Sequence, residues 1–200
     1  MPRRRSGPVN VKAGIYDQWK NHKRLWNGCN RCGLANVRTN VVLVRGSIPC
    51  DVGFLGEAPG ESEDLLKEPF VGPAGKKLDD ILEAAIAKSQ TFLRLAIFNV
   101  VGCFPRTDEG FRQPAKDEIE ACRPRLEDFL SFSKPRLIVT LGRIAKGHLP
   151  KTDVEVVSLV HPSFIVRTER DSPAKARLDQ KRCIMTLARW FTKIDKEING

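Results

Sequence analysis

Residues able to do chemistry gather in one stretch of this sequence, Gly56 to Leu82, which reads GEAPGESEDLLKEPFVGPAGKKLDDIL. An apolar run, Val52 to Leu55, leads into it and a helical pattern from Lys76 leads out. Between them lie two turns punctuated by glycine and proline, the carboxylates Glu57, Glu61, Glu63 and Asp64, and one aromatic residue, Phe70. A strand, a long loop and a helix in that order is where α/β sheets place ligands, and glycines let backbone come close to them. Two residues elsewhere have the same character. Asn99 interrupts an otherwise apolar strand, and a buried amide must be paired with either backbone or a ligand. His161 directly follows a buried strand and precedes Pro162, which gives an imidazole of fixed aim or a satisfied structural histidine. Phe70 is either an anchor folding its loop down or a platform for a planar ligand. Glu57, at the end of the first strand, reads as a helix cap, a surface ion pair or a site carboxylate. Glu61, Glu63 and Asp64 read equally as a solvated acidic turn. His22 and His148 have no special setting and are expected at the surface.

The six cysteines are the second chemical resource. Cys29 and Cys32 form a C-x-x-C pair, and Cys103 and Cys122 follow a strand and open a helix. Four thiolates so placed suit either zinc or an iron–sulfur cluster, and the alternative is that Cys103 and Cys122 are merely packed. Cys50 and Cys183 are expected to be free and packed. A thioredoxin-like role is disfavoured because the pair precedes no βα unit. No apolar run is long enough to span a bilayer, and Met1-Pro2-Arg3-Arg4-Arg5 lacks the apolar stretch of a secretory signal. These features place the expected location in the cytoplasm, where a disulfide frame is not expected. The net charge of +10 over 200 residues suits either an anionic partner such as nucleic acid or a merely well-solvated basic surface. Gly72-Pro73-Ala74-Gly75-Lys76-Lys77 imitates a phosphate loop, but Phe70 and Lys77 stand where that motif needs glycine and Ser/Thr, so it is set aside.

The elements that must carry these residues alternate. Residues 1–14 are expected as a basic, disordered arm and 15–200 as a single domain. Within it, helices are expected over Tyr16–Trp26, Lys76–Lys88, Asp117–Phe132, Gly142–His148 and Ser172–Ile194, the last burying Leu178, Ile184, Leu187 and Trp190. Buried strands are expected over Val52–Leu55, Ala96–Val101, Leu137–Leu141 and Val154–Val160, with Val41–Val44 as a short strand or linker. Alternation of this kind gives an α/β fold with a mostly parallel sheet. Its strand ends fall at Glu57, Asn99, Gly142 and His161.

Taken together the motifs resemble the family 4, iron–sulfur branch of the uracil-DNA glycosylases, over roughly Cys29 to Arg167. Gly56-Glu57-Ala58-Pro59-Gly60 with Pro69-Phe70-Val71-Gly72 and Gly75 resembles the first family motif, and His161-Pro162-Ser163-Phe164 the second. The resemblance implies a three-layer α/β/α sandwich with a short, mostly parallel sheet. It implies a 4Fe-4S cluster on Cys29, Cys32, Cys103 and Cys122, with a structural role. The implied reaction is hydrolysis of the N-glycosidic bond of a flipped deoxyuridine in single- or double-stranded DNA, by a protein expected to be monomeric. In it Phe70 stacks on the base, Asn99 reads its edge, His161 donates to O2, and Glu57 serves as general base. Backbone near Glu57 and Ala58 shares in binding O2, Glu63 excludes the thymine methyl, and the loop from Ser163 to Arg167 meets DNA. The loop Phe104 to Pro114 has arginines but no histidine, so turnover is expected in place of covalent trapping of the base. The competing readings are a non-catalytic nucleic-acid binding module on the same scaffold and a glycosylase for another altered base.

Overall fold

The structure is a computed structural model and describes residues 14–108 and 110–200. The basic arm expected over 1–14 therefore lies, apart from Gly14, outside the described residues. The first helix, α1, spans Ile15–Trp26. A 3₁₀ turn at Gly33–Asn36 follows the C-x-x-C pair. A short strand β1, Val44–Gly46, and the core strand β2, Val52–Gly56, come next. Two helices follow, α2 (Glu61–Leu66) and α3 (Pro73–Ser89), then β3 (Leu95–Asn99). A small hairpin, β4 (Arg106–Thr107) with β5 (Gly110–Phe111), precedes α4 (Lys116–Ser133). The remaining elements are β6 (Leu137–Leu141), α5 (Gly142–His148), β7 (Glu155–Leu159), α6 (Pro162–Asp171) and α7 (Pro173–Asn199).

The five-stranded sheet runs in the order β1-β3-β2-β6-β7. All pairs are parallel except β1 with β3, which is antiparallel. Side chains alternate across a strand, so each strand feeds two cores. Val52 and Phe54 of β2, Ile97 of β3 and Leu137, Val139 and Leu141 of β6 pack with Leu78, Ile81 and Ala85 of α3, Ile165 of α6 and Leu187 and Phe191 of α7. The opposite parity, Leu55, Ala96, Phe98 and Ile138, packs with Ile119, Leu126 and Phe129 of α4, Ala145 of α5 and Trp19 of α1. Helices thus cover both faces, and the fold is the expected three-layer sandwich. Each fully buried Phe or Leu contributes about 1.5–3 kcal/mol to that packing.

Several local expectations need correction. The stretch after Gly60 is not a long loop: α2 starts there, and Glu63 in its first turn accepts from the Gly60 N–H. The segment Ser163 to Arg167 is helical, since Pro162 takes the first position of α6 and the His161 ring caps it by accepting from Ser163 N–H. Strand β1 begins at Val44, three residues later than expected, while Val41, Val42 and Leu43 are buried and Val42 N–H donates to Gly102 O at 2.7 Å. Leu178 is exposed, so the buried stripe of α7 runs instead through Ala176, Cys183, Leu187 and Ile194. His22 is not a surface residue. It is fully buried between Trp19, Trp26, Phe129 and Phe132, and its Nδ1 meets Asp128 Oδ2 at 2.6 Å. Among the described residues no helix is long and apolar enough to cross a membrane.

Candidate active site

At the carboxyl edge of the sheet the ends of β2, β3, β6 and β7 open on one cleft of about 500 Å³. Glu57, Ala58, Glu63, Phe70, Asn99, His161, Ser163 and Arg167, from four separate parts of the chain, all line it. Phe70 and His161 face each other with ring centroids 5.9 Å apart. Gly56 shows how tightly Phe70 and Asn99 converge. A Cβ at Gly56 would stand 2.3 Å from Asn99 Oδ1 and 2.6 Å from two ring atoms of Phe70. Only glycine leaves room for both. Gly56→Ala is therefore expected to destabilise the protein by about 1–3 kcal/mol, as overpacking does. The readout is a melting-temperature fall of roughly 2–4 °C per kcal/mol; an unchanged Tm would mean that ring and amide have space to yield.

Phe70 is held in an unusual backbone state. Its φ is +57°, a left-handed conformation that costs a bulky residue about 1–3 kcal/mol. Three contacts stabilise it. Arg45 Nη1 donates to the Phe70 carbonyl at 3.0 Å, while the same guanidinium pairs with both oxygens of Asp79. That carbonyl also lies where a Cβ of Gly75 would be, so the missing side chain at 75 makes the turn feasible. Glu63 accepts from the N–H groups of Val71 and Gly72 through one oxygen and of Gly60 through the other, at 2.8–3.1 Å. Glu63 is thus a staple for the Phe70 turn as well as part of the cleft. Asp64 is likewise not solvated. It is 2% exposed and accepts from Thr39 and Asn40 N–H.

His161 has a defined hydrogen-bonding sense. Ser163 N–H donates to its Nδ1 at 3.2 Å, so Nδ1 is an acceptor. Ser163 Oγ lies 2.8 Å from Nδ1 and itself accepts from Arg167 Nη1 at 3.1 Å. In the neutral ring the proton then sits on Nε2, which is a donor. Burial, and then the Arg167 charge, push the His161 pKa down to about 4, so the ring is neutral at physiological pH. Ser163 and Arg167 therefore fix the imidazole from behind; sequence reasoning had assigned them only to DNA contact.

Two buried oxygens in the cleft have no partner, Asn99 Oδ1 and Glu57 Oε1. Such atoms cost free energy unless a ligand or water meets them. Burial alone raises the Glu57 pKa above its usual value.

The four cysteines Cys29, Cys32, Cys103 and Cys122 line a second, small cavity with Arg31, Arg38, Val101 and Ala121. N–H groups aim at the sulfurs. Arg38 Nη1 reaches Cys103 Sγ at 3.6 Å, Arg125 Nε reaches Cys122 Sγ at 3.3 Å, and Gly102 N–H reaches the same sulfur at 3.4 Å. Burial raises the Cys32 pKa and pushes that of Cys103 up to about 12. Among the described residues no group of three or more His, Cys, Asp or Glu stands in the geometry that holds a single metal ion. Cys50 and Cys183 are buried and free.

Sequence reasoning missed two contributors to the cleft. Arg143 and Ile144, in the first turn of α5, form part of its rim. So do Phe111 and Gln113, brought in by the β4–β5 hairpin. The Gly-flanked aromatic at Phe111 was the available signal.

The fold is an α/β sheet with a cleft at its carboxyl edge, lined by an aromatic ring, an amide and a neutral imidazole. The family model for the uracil DNA glycosylase superfamily matches residues 43–186, and the chain belongs to that superfamily. Among similar proteins is the type-4 uracil-DNA glycosylase of Pyrobaculum aerophilum, 38% identical over 175 residues that cover 76% of this chain and 85% of that protein. That of Thermotoga maritima is 38% identical over 157 residues, covering 70% of this chain and 78% of that protein. The Sulfurisphaera tokodaii protein of the same name is 42% identical over 117 residues, 58% of this chain and 50% of that protein. The chain thus spans about half the length of this last relative.

Proposed function

We propose that this protein is a uracil-DNA glycosylase of base excision repair: it flips deoxyuridine out of DNA and hydrolyses its N-glycosidic bond, releasing uracil and leaving an abasic site. The observation that carries the reading is the convergence of Phe70, Asn99 and His161 on one cleft in which Asn99 Oδ1 is buried and unpartnered. A base inside a duplex is out of reach, so the nucleotide must leave the stack to enter such a slot. The net charge of +10 supports binding to the DNA backbone without regard to sequence.

In this reading Phe70 stacks on the base. Asn99 Oδ1 accepts from uracil N3–H while its NH₂ donates to O4; cytosine reverses both polarities and leaves buried groups unpaired. As the C1′–N1 bond breaks, its electron pair goes to uracil, and His161 Nε2–H donates to O2 where the negative charge gathers. Backbone near Glu57 and Ala58 shares in that contact. The cation-like sugar is attacked by a water held at Glu57, whose carboxylate takes the water's proton. Glu63 limits the space at C5 by holding the Phe70 turn in place. Ser163 and Arg167, which line the cleft, are assigned to contact with DNA as well.

The four cysteines are assigned to a 4Fe-4S cluster. Four sulfurs lining one cavity, with guanidinium and amide donors aimed at them, fit a thiolate-held group. When bound, the cluster supplies a cross-link between the N-terminal turn, the segment after β3 and α4. The reading takes the protein as a monomer working in the cytoplasm.

The test is incubation with matched oligonucleotides carrying uracil, cytosine or thymine at one position, followed by alkaline cleavage at abasic sites. Cleavage only of the uracil strand, with turnover, is expected. Salt-sensitive binding with no base release would replace the reading by a binding module, and release of another altered base in preference to uracil would reassign the substrate. The pH profile carries a further expectation. Glu57 must be ionised to accept a proton, and its raised pKa means that the carboxylate form is lost on acidification sooner than for an ordinary glutamate. An acid limb in kcat/KM lying above pH 4.5 is expected, and Glu57→Gln should abolish it while lowering the rate by about 10²–10⁴-fold. A wild-type limb surviving in Glu57→Gln would remove Glu57 as the base.

A further inference from the structure

Arg125 is the largest fully buried side chain of the described residues, at 1% exposure. It sits in α4 beneath the end of β3. Its Nη2 donates to the Asn99 carbonyl at 2.5 Å and to the Val100 carbonyl at 3.1 Å. Its Nε donates to Cys122 Sγ at 3.3 Å, and its Nη1 is buried without a partner. Among the described residues no carboxylate forms an ion pair with it. An unpaired buried cation is strongly destabilising, so a negative charge must belong beside it. Among the groups that hydrogen-bond to its side chain, the only one able to carry full negative charge is the Cys122 sulfur. The other end of the same guanidinium holds the backbone of the residue whose side chain points into the cleft. One planar, five-donor group thereby spans the cysteine cavity and the base-reading strand end, which a lysine cannot do.

We propose that Arg125 is a positioning residue that ties the four-cysteine site to Asn99: its Nε reaches the Cys122 sulfur, and its Nη2 clamps the carbonyls of Asn99 and Val100. The inference rests on the glycosylase and cluster readings given above. It makes the cluster more than a staple for the N-terminal turn, because a shift of the Cys122 sulfur moves the guanidinium and releases the strand end that aims the amide. The positioning is exerted through backbone carbonyls and needs no contact between Arg125 and substrate.

The experiment compares anaerobically purified wild type, Arg125→Lys and Arg125→Met by iron content, visible absorbance under chelator, single-turnover uracil release and hydrogen–deuterium exchange over residues 97–101. Arg125→Lys keeps a cation near Cys122 and loses the fork. It is expected to retain iron while exchange over 97–101 quickens and kcat falls by about 10–10²-fold, the scale of a misplaced reading group, with KM little changed. Arg125→Met is expected to lose its iron to chelator at least about tenfold faster, as a sulfur ligand stripped of its hydrogen-bond donor should. Wild-type rate and exchange in Arg125→Lys, loss of iron in that variant, or unaltered chelator resistance in Arg125→Met would each overturn the proposal. A variant-free arm guards against misfolding: stripping iron from the wild type should quicken exchange over 97–101 while the β6 amides stay protected, and unchanged exchange there would overturn it too. A wild type that holds iron but releases no uracil would sink the glycosylase reading alone, because the iron and exchange arms still decide the link. A wild type purified without iron would sink the cluster reading and this proposal together.

Discussion

Asn99→Ala should fold as well as the parent and release uracil about 10²–10³-fold more slowly, the usual cost of removing one preorganised hydrogen-bonding group from a reacting centre. The two halves of that expectation have one cause. Asn99 Oδ1 is buried and meets nothing in the free protein. An unsatisfied buried acceptor costs about 1–3 kcal/mol, so its removal leaves stability unchanged or higher. The same atom has its partner only when a base bearing an N–H at the right place enters. Thermal melting beside single-turnover kinetics on one uracil oligonucleotide checks both halves. A variant that is strongly destabilised would show the amide to be a structural pillar, and one that keeps full activity would remove it as the reader of the base.

His161→Ala carries the second large expectation, again about 10²–10³-fold in kcat with KM nearly unchanged. The effect falls on kcat because the imidazole N–H opposes charge that exists only as uracil departs. Its pH behaviour follows from the depressed pKa. The ring stays neutral above about 4, so His161 adds no limb to the rate profile near neutrality. Its contribution to folding has a definite sign. The folded state disfavours the protonated ring, whereas the unfolded chain takes up that proton near the ordinary 6.5. The stability contribution is thus fully present above pH 6.5 and is lost as pH falls from there through about 4. His161→Ala should flatten that decline without abolishing it, since burial also holds the His22 pKa below its usual value. Denaturant melts across the range read it directly.

Much of this was legible in the residues. The buried strands β2 and β6 and the helix α5 fall where apolar runs and the glycine after Leu141 placed them, because a strand flanked by helices on both faces reads as an unbroken apolar run. Asn99 and His161 stood out as polar residues at strand ends, and Phe70 as an aromatic among the glycines and prolines of a turn. What stayed hidden is short or long-range. Helices α2 and α6 are too brief to show a periodic stripe, although Pro162 at the first helical position and Glu63 three residues after Gly60 were usable signals. The antiparallel partner β1 is three residues long and carries no turn signature that would fix its direction. His22 looked solvent-facing as a lone histidine, yet Trp19, His22 and Trp26 share a helical face at three- and four-residue spacing. Arg125 belongs to the stripe of Cys122, Leu126 and Phe129, and a cation on a buried stripe was itself a clue that something anionic lies beneath.

The turn that presents the Phe70 ring is tied to the body of the protein through Arg45, whose carboxylate partner Asp79 keeps 43% of its side chain in solvent. Ion pairs open to water weaken as dissolved electrolyte rises. If the protein holds DNA as proposed, brine acts on it twice, once by loosening its hold on the phosphate chain and again by slackening the tether of the Phe70 turn. The second action would persist on a substrate too short to feel the first.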